Sequence, residues 1–177
     1  MKGTIIMGGK VVLRPITIGD APRFVRWLND PAVSKPLRGH HKRLTLKEER
    51  KWIHALVKKK KTERQFAIVT AEGVHIGGTS LVLDAQNNRA RFGIVIGEKR
   101  FWGQGYGTDA TKEIIRYAFR ILKLHKVELN VYAFNKRAIR LYRKIGFKVE
   151  GIQKEHLRYG GKYFDRIKMG LLRRDYV

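Results

Sequence analysis

Three glycines at alternate positions, Gly103, Gly105 and Gly107, lie between a strand-like run and a helical pattern, and no other feature of the sequence restricts the fold as strongly. Residues 89–96 precede them, and after Gly107 apolar residues recur every four positions as far as Leu122. Glycine lets backbone N–H groups converge on a concave surface without a Cβ in the way, and the first turn of a helix adds unpaired N–H groups. The junction therefore predicts a cradle for a pyrophosphate.

Two common nucleotide-binding loops do not fit this junction. A P-loop ends in Gly-Lys-Ser/Thr, but Gly107 is followed directly by Thr108. A dinucleotide-binding loop has Gly-x-Gly-x-x-Gly and an acidic residue after the next strand, where this sequence has Tyr132, Ala133 and Phe134. By themselves the glycines also fit an ordinary tight turn between a strand and a helix, so other segments must decide between the two interpretations.

The hydrophobic periodicity predicts one domain of mixed α/β structure over residues 1–177, with about seven strands and four helices. The predicted strands are 11–13, 66–70, 75–83, 89–96, 127–132, 147–150 and 162–172, the predicted helices are 20–28, 45–57, 107–122 and 135–145, and an irregular segment is predicted over 29–43. Thr45 and Glu48 form a capping-box pattern at the start of the second helix, while Asn135 and Gly146 bound the fourth.

Composition limits both the chemistry and the partners. The chain has no cysteine, which excludes disulfides, thiol nucleophiles and thiolate metal sites, and a cytoplasmic location is expected. The six histidines show no metal-ligand spacing, so no metal is expected. Lys and Arg number 39 against 15 Asp and Glu, and the net charge of +24 favours partners such as RNA, a ribosome or a phosphorylated cofactor. A solvated basic face that serves only solubility is the other interpretation.

A second segment gives the glycine junction its meaning. Residues 135–147, Asn-Lys-Arg-Ala-Ile-Arg-Leu-Tyr-Arg-Lys-Ile-Gly-Phe, resemble the Asn-x-x-Ala-x-x-Leu-Tyr-x-Lys-x-Gly-Phe signature of the GNAT acetyltransferase superfamily. The stretch 92–150 resembles the branch that includes spermidine N-acetyltransferases and ribosomal-protein N-terminal acetyltransferases. The resemblance implies acetyl-CoA as cosubstrate and the GNAT fold, a mostly antiparallel mixed sheet splayed between its fourth and fifth strands. Trp102 departs from the Arg or Gln that many members carry there, although Trp is frequent in this branch.

The resemblance also assigns parts of the cofactor to particular residues. The pyrophosphate is expected on the loop formed by Trp102, Gly103, Gln104, Gly105, Tyr106, Gly107 and Thr108. The pantetheine arm is expected to bond like an added strand to the backbone of Ile94, Val95 and Ile96. The thiol end is expected beside Asn135 and Ala138, and the cofactor-binding set is completed by Lys144.

Tyr142 is the predicted general acid of the implied reaction. A phenol on the helix face that meets the thioester can protonate the departing thiolate of CoA. Tyr142 also falls on the apolar stripe of its helix, so a tyrosine that only packs in the core is the alternative. The base that deprotonates the amine has three candidates. They are Glu98, just past the fourth strand, Glu48, in the second helix, and a bound water.

Several acceptor amines fit the resemblance. Polyamines are cations, which a chain of charge +24 repels unless Asp and Glu cluster at the site. A protein N-terminal amine is therefore ranked slightly above a polyamine, and a small amine such as an aminoglycoside or an amino sugar remains open. The alternative function is a basic RNA- or ribosome-associated binding protein that uses the same fold without catalysis. Homodimers are common in the resembled family, but the sequence itself does not define the oligomeric state.

Overall fold

The computed structural model describes residues 5–38, 42–56 and 62–176. Its strands are β1 (Ile6–Met7), β2 (Val11–Pro15), β3 (Glu63–Thr70), β4 (His75–Asp84), β5 (Arg89–Ile96), β6 (Lys126–Tyr132), β7 (Lys148–Tyr159) and β8 (Lys162–Leu172). Its helices are α1 (Ala21–Asn29), α2 (Pro31–Arg38), α3 (Leu46–Leu56), α4 (Tyr106–Arg116) and α5 (Lys136–Ile145). A π turn, Tyr117–Ile121, extends α4.

All eight of these strands form one mixed sheet in the order β1-β2-β3-β4-β5-β6-β8-β7. Neighbouring strands are antiparallel except β5 and β6, which are parallel and are joined only where Arg89–Arg91 lies beside Lys126–Glu128. Residues 92–96 and 129–132 are not paired with each other, so the two strands part beyond their start. The predicted α/β class and the splayed sheet are confirmed. The predicted fourth and fifth strands are numbered β5 and β6 here, because the short strand β1 was not predicted.

Side chains of β5 alternate between two hydrophobic clusters on the two faces of the sheet. Phe92, Ile94 and Ile96 pack in the larger cluster, which α4 and α5 complete. Val95 packs in the smaller cluster, whose buried members are Phe24, Trp27 and Val33 of α1 and α2. One face of the sheet therefore carries α4 and α5, the other carries α1 and α2, and both pairs of helices lie close to the opening.

Helix α2 shows that the irregular segment predicted over 29–43 was wrong for residues 31–38. Pro31 occupies the first helical position, where its missing N–H would have no partner in any case. The Asp30 side chain accepts a hydrogen bond from the N–H of Ala32 at 2.9 Å and so helps to start the helix. Pro36 lies inside the helix, and an internal proline is the feature that argued against helix there.

Two strands also differ from their predictions. β1 has only two residues, Ile6–Met7, which is too short to show a period. β7 extends to Tyr159, beyond the predicted 147–150, because most of its residues at the edge of the sheet are exposed and carry no apolar alternation. Register shifts and the positive φ of Glu155, 49°, further interrupt its period. The predicted end of the second helix, at Val57, lies outside the described residues.

A buried ion cluster joins the start of α1 to the sheet. The Asp20 carboxylate accepts hydrogen bonds from the Arg14 guanidinium at 2.7 and 2.8 Å and lies 3.1 Å from Nδ1 of His75. Nε2 of His75 donates to the carbonyl of Gly77 at 2.8 Å, so both ring nitrogens face oxygen acceptors. Burial alone would raise the pKa of Asp20, but the contacts with Arg14 and His75 hold this pKa well below its ordinary value.

Replacing Asp20 with asparagine is expected to lower the free energy of unfolding by about 3 kcal/mol at neutral pH, because the remaining partners lose their counter-charge. Since the pKa of the folded carboxyl is depressed, its stabilisation is present above the unfolded pKa of about 4 and is lost as the pH falls below it. Urea unfolding at about pH 7 and about pH 3 should therefore show a difference between wild type and variant that shrinks in acid. An equal difference at both pH values would contradict this role of the carboxylate.

Candidate active site

A cavity of about 400 Å³ fills the opening between β5 and β6. Its walls come from β5, β6, α2, α5 and the first turns of α4. The predicted site residues that line it are Ile94, Val95, Ile96, Trp102, Gly107, Asn135, Ala138 and Tyr142. The fold thus brings the end of a strand, the glycine loop and the signature helix to one place. The loop residues outside this lining are Gly103, Gln104, Gly105, Tyr106 and Thr108.

The glycine loop has the left-handed backbone that glycine adopts without strain. The angle φ is +81° at Gly103 and +88° at Gly105. Gly105 is the N-cap residue of α4, so the next N–H groups have no partner within the helix. This arrangement of small residues, unpaired N–H groups and a helix N-terminus can bind a pyrophosphate.

Lys10 contacts the loop although no sequence pattern links the two. Its ammonium group donates to the carbonyl of Gln104 at 3.0 Å and lies 5.7 Å from the centre of the Tyr106 ring. The Asp109 carboxylate of α4 holds this segment by accepting the backbone N–H groups of Lys10 and Val11 at 2.7 and 3.1 Å. Lys10 therefore places a cation beside the predicted phosphate site, a role that sequence reasoning missed because 94 residues separate it from Gln104.

Only every second residue of β5 directs its backbone N–H and C=O groups toward the opening. The carbonyl of Val95 faces β4, since it would lie 2.1 Å from a Cβ placed on Gly77 of that strand. Neighbouring residues of a strand direct their peptide groups to opposite sides, so Ile94 and Ile96 face the opening. The indole N–H of Trp102 already donates to the carbonyl of Ile96 at 2.7 Å. Of the three predicted pantetheine contacts, the peptide group of Ile94 is thus the best placed, and that of Val95 does not fit.

Arg137 is a second residue that sequence reasoning did not select. It lines the cavity between β5 and β6, and its guanidinium lies 5.6 Å from the centre of the Trp102 ring. This contact joins the first turn of α5 to the glycine loop. Trp102 stands where many members of the resembled family carry Arg or Gln, which was a signal to look for another cation near the loop. Only the fold shows that this cation is Arg137.

Helix α5 is bounded as predicted and carries Tyr142 into the cavity. The Asn135 side chain accepts a hydrogen bond from the N–H of Ala138 at 3.2 Å, and Gly146, with a φ of +109°, ends the helix. The Tyr142 side chain is 9% exposed and packs edge-on against Phe92 at a centroid distance of 6.0 Å. These contacts hold the ring in one place at the wall of the cavity.

The hydroxyl of Tyr142 forms no hydrogen bond with a described residue. Burial raises the pKa of Tyr142 to about 12, so the phenol stays protonated at neutral pH. A protonated phenol at a cavity wall can donate its proton to an anion that forms inside the cavity. The position is therefore suited to an acid and unsuited to a base.

A second cavity, of about 560 Å³, adjoins the first and shares Gly93, Ile94 and Val95 of β5 with it. Its polar lining includes Glu48, Glu49, Gln65, Thr79 and Ser80, and its apolar lining includes Phe24, Leu28 and Trp52. No described residue in this lining is Lys or Arg, although the chain has a net charge of +24. The described lining of this cavity therefore carries acidic and aromatic side chains and no basic one, within a strongly basic protein.

Glu48 has a structural role in addition to its place in this cavity. The capping box predicted at Thr45 is confirmed: the Glu48 N–H donates to Thr45 Oγ1 at 3.2 Å, and the Glu48 carboxylate accepts the Thr45 N–H at 2.8 Å. The hydrogen bond from the Thr45 hydroxyl and then the one from its N–H lower the pKa of Glu48. Glu48 is thus an anion at neutral pH and a weak base.

Two predicted site residues lie elsewhere. The Glu98 carboxylate pairs with the Arg26 guanidinium, Oε2 to Nη2 at 2.5 Å, and lines neither cavity. This position argues against the role of base, because the carboxylate is engaged by Arg26 and lies outside the lining of both cavities. Lys144 is exposed on α5 and also lines neither cavity. Among the described residues no cluster of His, Asp and Glu can hold a metal ion, and no described helix is long and apolar enough to cross a membrane.

Comparison with known proteins identifies the family. Residues 10–148 match the model of the acetyltransferase (GNAT) domain. The chain is a GNAT acetyltransferase. It is accordingly an acetyl-CoA-dependent N-acetyltransferase, and the residues at the opening fit this cosubstrate. The loop N–H groups and Lys10 can bind the phosphates, and the peptide group of Ile94 can bond the amide-bearing arm.

Relatives of this GNAT enzyme include polyamine acetyltransferases. The spermidine N(1)-acetyltransferase of Escherichia coli is 35% identical over 117 residues, which cover 66% of this chain and 62% of that protein. A putative ribosomal N-acetyltransferase of Bacillus subtilis is 33% identical over 94 residues, 53% of this chain and 51% of that protein. The crystal structure of spermidine N-acetyltransferase from Vibrio cholerae in complex with CoA and spermine has a TM-score of 0.87 at 26% identity, covering 94% of this chain and 97% of that one. The predicted branch is confirmed.

Proposed function

We propose that this GNAT enzyme transfers the acetyl group of acetyl-CoA to a primary amine of a polyamine-like cation, with Tyr142 as the general acid. The larger cavity carries the proposal, because Glu48, Glu49 and Trp52 line it and no described lining residue is basic. A described lining without Lys or Arg, in so basic a chain, suits a ligand that is itself positively charged. Trp52 adds an aromatic face for an ammonium group or its methylene chain.

This cavity changes the ranking of acceptors. The sequence favoured a protein N-terminal amine because a net charge of +24 repels polyamines unless acidic residues cluster at the site. Glu48 and Glu49 are such a cluster, so we now rank a polyamine first. The relatives that are spermidine acetyltransferases support the same class. No comparison supports a binding protein without catalysis. We place the reaction in the cytoplasm, the location expected from a cysteine-free composition.

The proposed chemistry follows from the shared wall of the two cavities. Acceptor and thioester approach each other at Gly93–Val95, where the amine nitrogen attacks the acetyl carbonyl carbon. The tetrahedral intermediate collapses with cleavage of the C–S bond, and the departing thiolate takes the phenolic proton of Tyr142, which solvent then replaces. The proton of the amine leaves through water in the larger cavity, because the lowered pKa of Glu48 makes it an anchor for the cation rather than a base.

Measuring CoA release with spermidine, spermine, an amino sugar and a peptide with a free N-terminus tests the acceptor class. Glu48→Gln is expected to raise the KM for spermidine about fivefold, since an exposed ion pair contributes only modestly to binding. The KM for acetyl-CoA should not change. Glutamine is also compatible with the capping box, so the start of α3 is retained.

Glu72→Gln is the matched control for this substitution. Glu72 is also exposed, its pKa is also lowered first by a threonine hydroxyl, that of Thr70, and it lines neither cavity. It should leave both KM values unchanged. Faster acetylation of the peptide than of either polyamine, together with no effect of Glu48→Gln, would reject the proposed acceptor while leaving acetyl transfer itself intact.

A further inference from the structure

We infer that the outer side of α5 is a docking surface for the phosphate backbone of a nucleic acid, a function separate from acetyl transfer. Every exposed residue of this helix is basic, and these residues are Lys136, Arg137, Arg140, Arg143 and Lys144. The other five positions of the helix are buried or half-buried. No described acidic residue forms a salt bridge with any of the five cations, and the helix itself contains no Asp or Glu.

The five cations form one continuous stripe. At about 100° per residue, their side chains fall within about 120° of the helix circumference, with Arg143 and Arg137 at the two edges. From Lys136 to Lys144 the stripe is about 12 Å long, at about 1.5 Å per residue. Measured along the axis of a duplex, one strand presents about three to four phosphates over that length, at about 3.4 Å each. The number and spacing of the cations therefore suit a phosphate backbone.

The stripe opposes the stability of its own helix. Arg140 has like charges three and four residues away on both sides, and such pairs destabilise a helix. Lys136 and Arg137 also lie in the first turn, where positive charge opposes the helix dipole. Solubility alone does not require this concentration of one sign on ten residues. A polyanionic partner would relieve every one of these repulsions.

The smaller cavity and a membrane do not account for the whole stripe. Arg137 is the only one of the five cations in the described lining of that cavity, so Lys136, Arg140, Arg143 and Lys144 lie outside it. Membrane-surface helices insert an apolar side, but the apolar residues of α5, such as Ile139 and Tyr142, are buried in the core. The apolar side of α5 is therefore not available for insertion into a membrane. The basic side would contact phosphates rather than base edges, so binding is expected to show no sequence preference.

The test compares two triple variants with the same change in net charge. One removes three stripe cations that lie outside the cavities, by Lys136→Gln, Arg140→Gln and Arg143→Gln. The control carries Arg23→Gln, Lys47→Gln and Arg50→Gln, three exposed cations of α1 and α3. Fluorescence anisotropy with a labelled single-stranded RNA across a salt series should show at least about tenfold weaker binding for the stripe variant at low salt. The slope of log K against log salt should fall by about 2, and the control should stay within about twofold of wild type.

Three outcomes would overturn the inference. Equal weakening in both variants would mean that only net charge matters. A higher KM for acetyl-CoA with unchanged RNA binding would assign the stripe to the cofactor. Vesicles with anionic lipids that bind as tightly as RNA and lose affinity in the same way would assign it to a membrane. Spermidine acetylation, measured in parallel, should be unchanged in both variants, so the two proposals fail separately.

A single substitution adds a readout that a structural role would not produce. Arg140→Glu converts four repulsive neighbour pairs into attractive ones, so the midpoint of thermal unfolding should rise. RNA binding should fall at the same time. A stripe without a partner would show the gain in stability and no loss of binding, which would also overturn the inference.

Discussion

Replacing Tyr142 with phenylalanine is expected to lower kcat by about 10²- to 10⁴-fold, the usual contribution of a general acid. The KM for acetyl-CoA should change little, because the ring stays packed against Phe92 and only the hydroxyl is removed. Folding should be unaffected, since that hydroxyl bonds no described residue. Steady-state kinetics with the preferred amine and thermal unfolding of both proteins measure the three quantities.

Tyr117→Phe is the control, because Tyr117 is also buried, at 5% exposure, but lines neither cavity. It should leave kcat unchanged. The pH dependence gives a second check: burial raises the pKa of Tyr142 to about 12, so the acid is present at every pH below that value. Deprotonation of Tyr142 should therefore not lower the kcat of the wild-type enzyme between about pH 8 and about pH 10.5. Full activity of Tyr142→Phe would return Tyr142 to the role of a core residue.

Gly105→Ala is expected to raise the KM for acetyl-CoA about tenfold or more. Its φ of +88° is unfavourable for any residue with a Cβ by about 1–2 kcal/mol, so the loop should shift and misdirect the N–H groups that follow it. Loss of one hydrogen bond to a charged phosphate is worth about 1.5–3 kcal/mol, which is the source of the expected change. Titration with CoA by calorimetry measures the affinity directly.

Gly73→Ala provides a control with the same backbone strain at a distant turn. Its φ is +85°, and a Cβ there would contact nothing within 4 Å. Both variants should lose similar stability, but only Gly105→Ala should lose affinity for CoA. Equal affinities in the two variants would show that the glycine loop does not bind the pyrophosphate.

Elements with a local signal were predictable, and elements without one were not. Helix α5 has a capping residue, Asn135, an apolar stripe and a terminating glycine, and its observed bounds match the prediction. Helix α2 contains Pro36, and its stability comes from packing and from the Asp30 cap rather than from propensity. The long strand β7 pairs with a single neighbour at the sheet edge and therefore has no apolar alternation to reveal it.

The residues of the candidate site also fall into those that a local sequence signal could predict and those that it could not. The glycine loop and the position of Tyr142 on the inner side of its helix could be proposed from sequence, because each depends on residues close together in the chain. The surroundings of Glu98 and Glu48 could not, since the structure pairs Glu98 with Arg26 and places Glu48 in the lining of the larger cavity. Lys10 could not be found either, because the contact with Gln104 spans 94 residues.

By itself the sequence determined the family, the place of the glycine loop between a strand and a helix, and the two ends of α5, because glycine content and capping act over only a few residues. Only the tertiary structure decided which charges lie together: among the described residues it places Glu48 but no Lys or Arg in the lining of the larger cavity, and it leaves the five exposed cations of α5 without a described salt-bridge partner. The reason is physical. The distance between charges far apart in the chain is set by strand order and helix packing, and no local propensity encodes it.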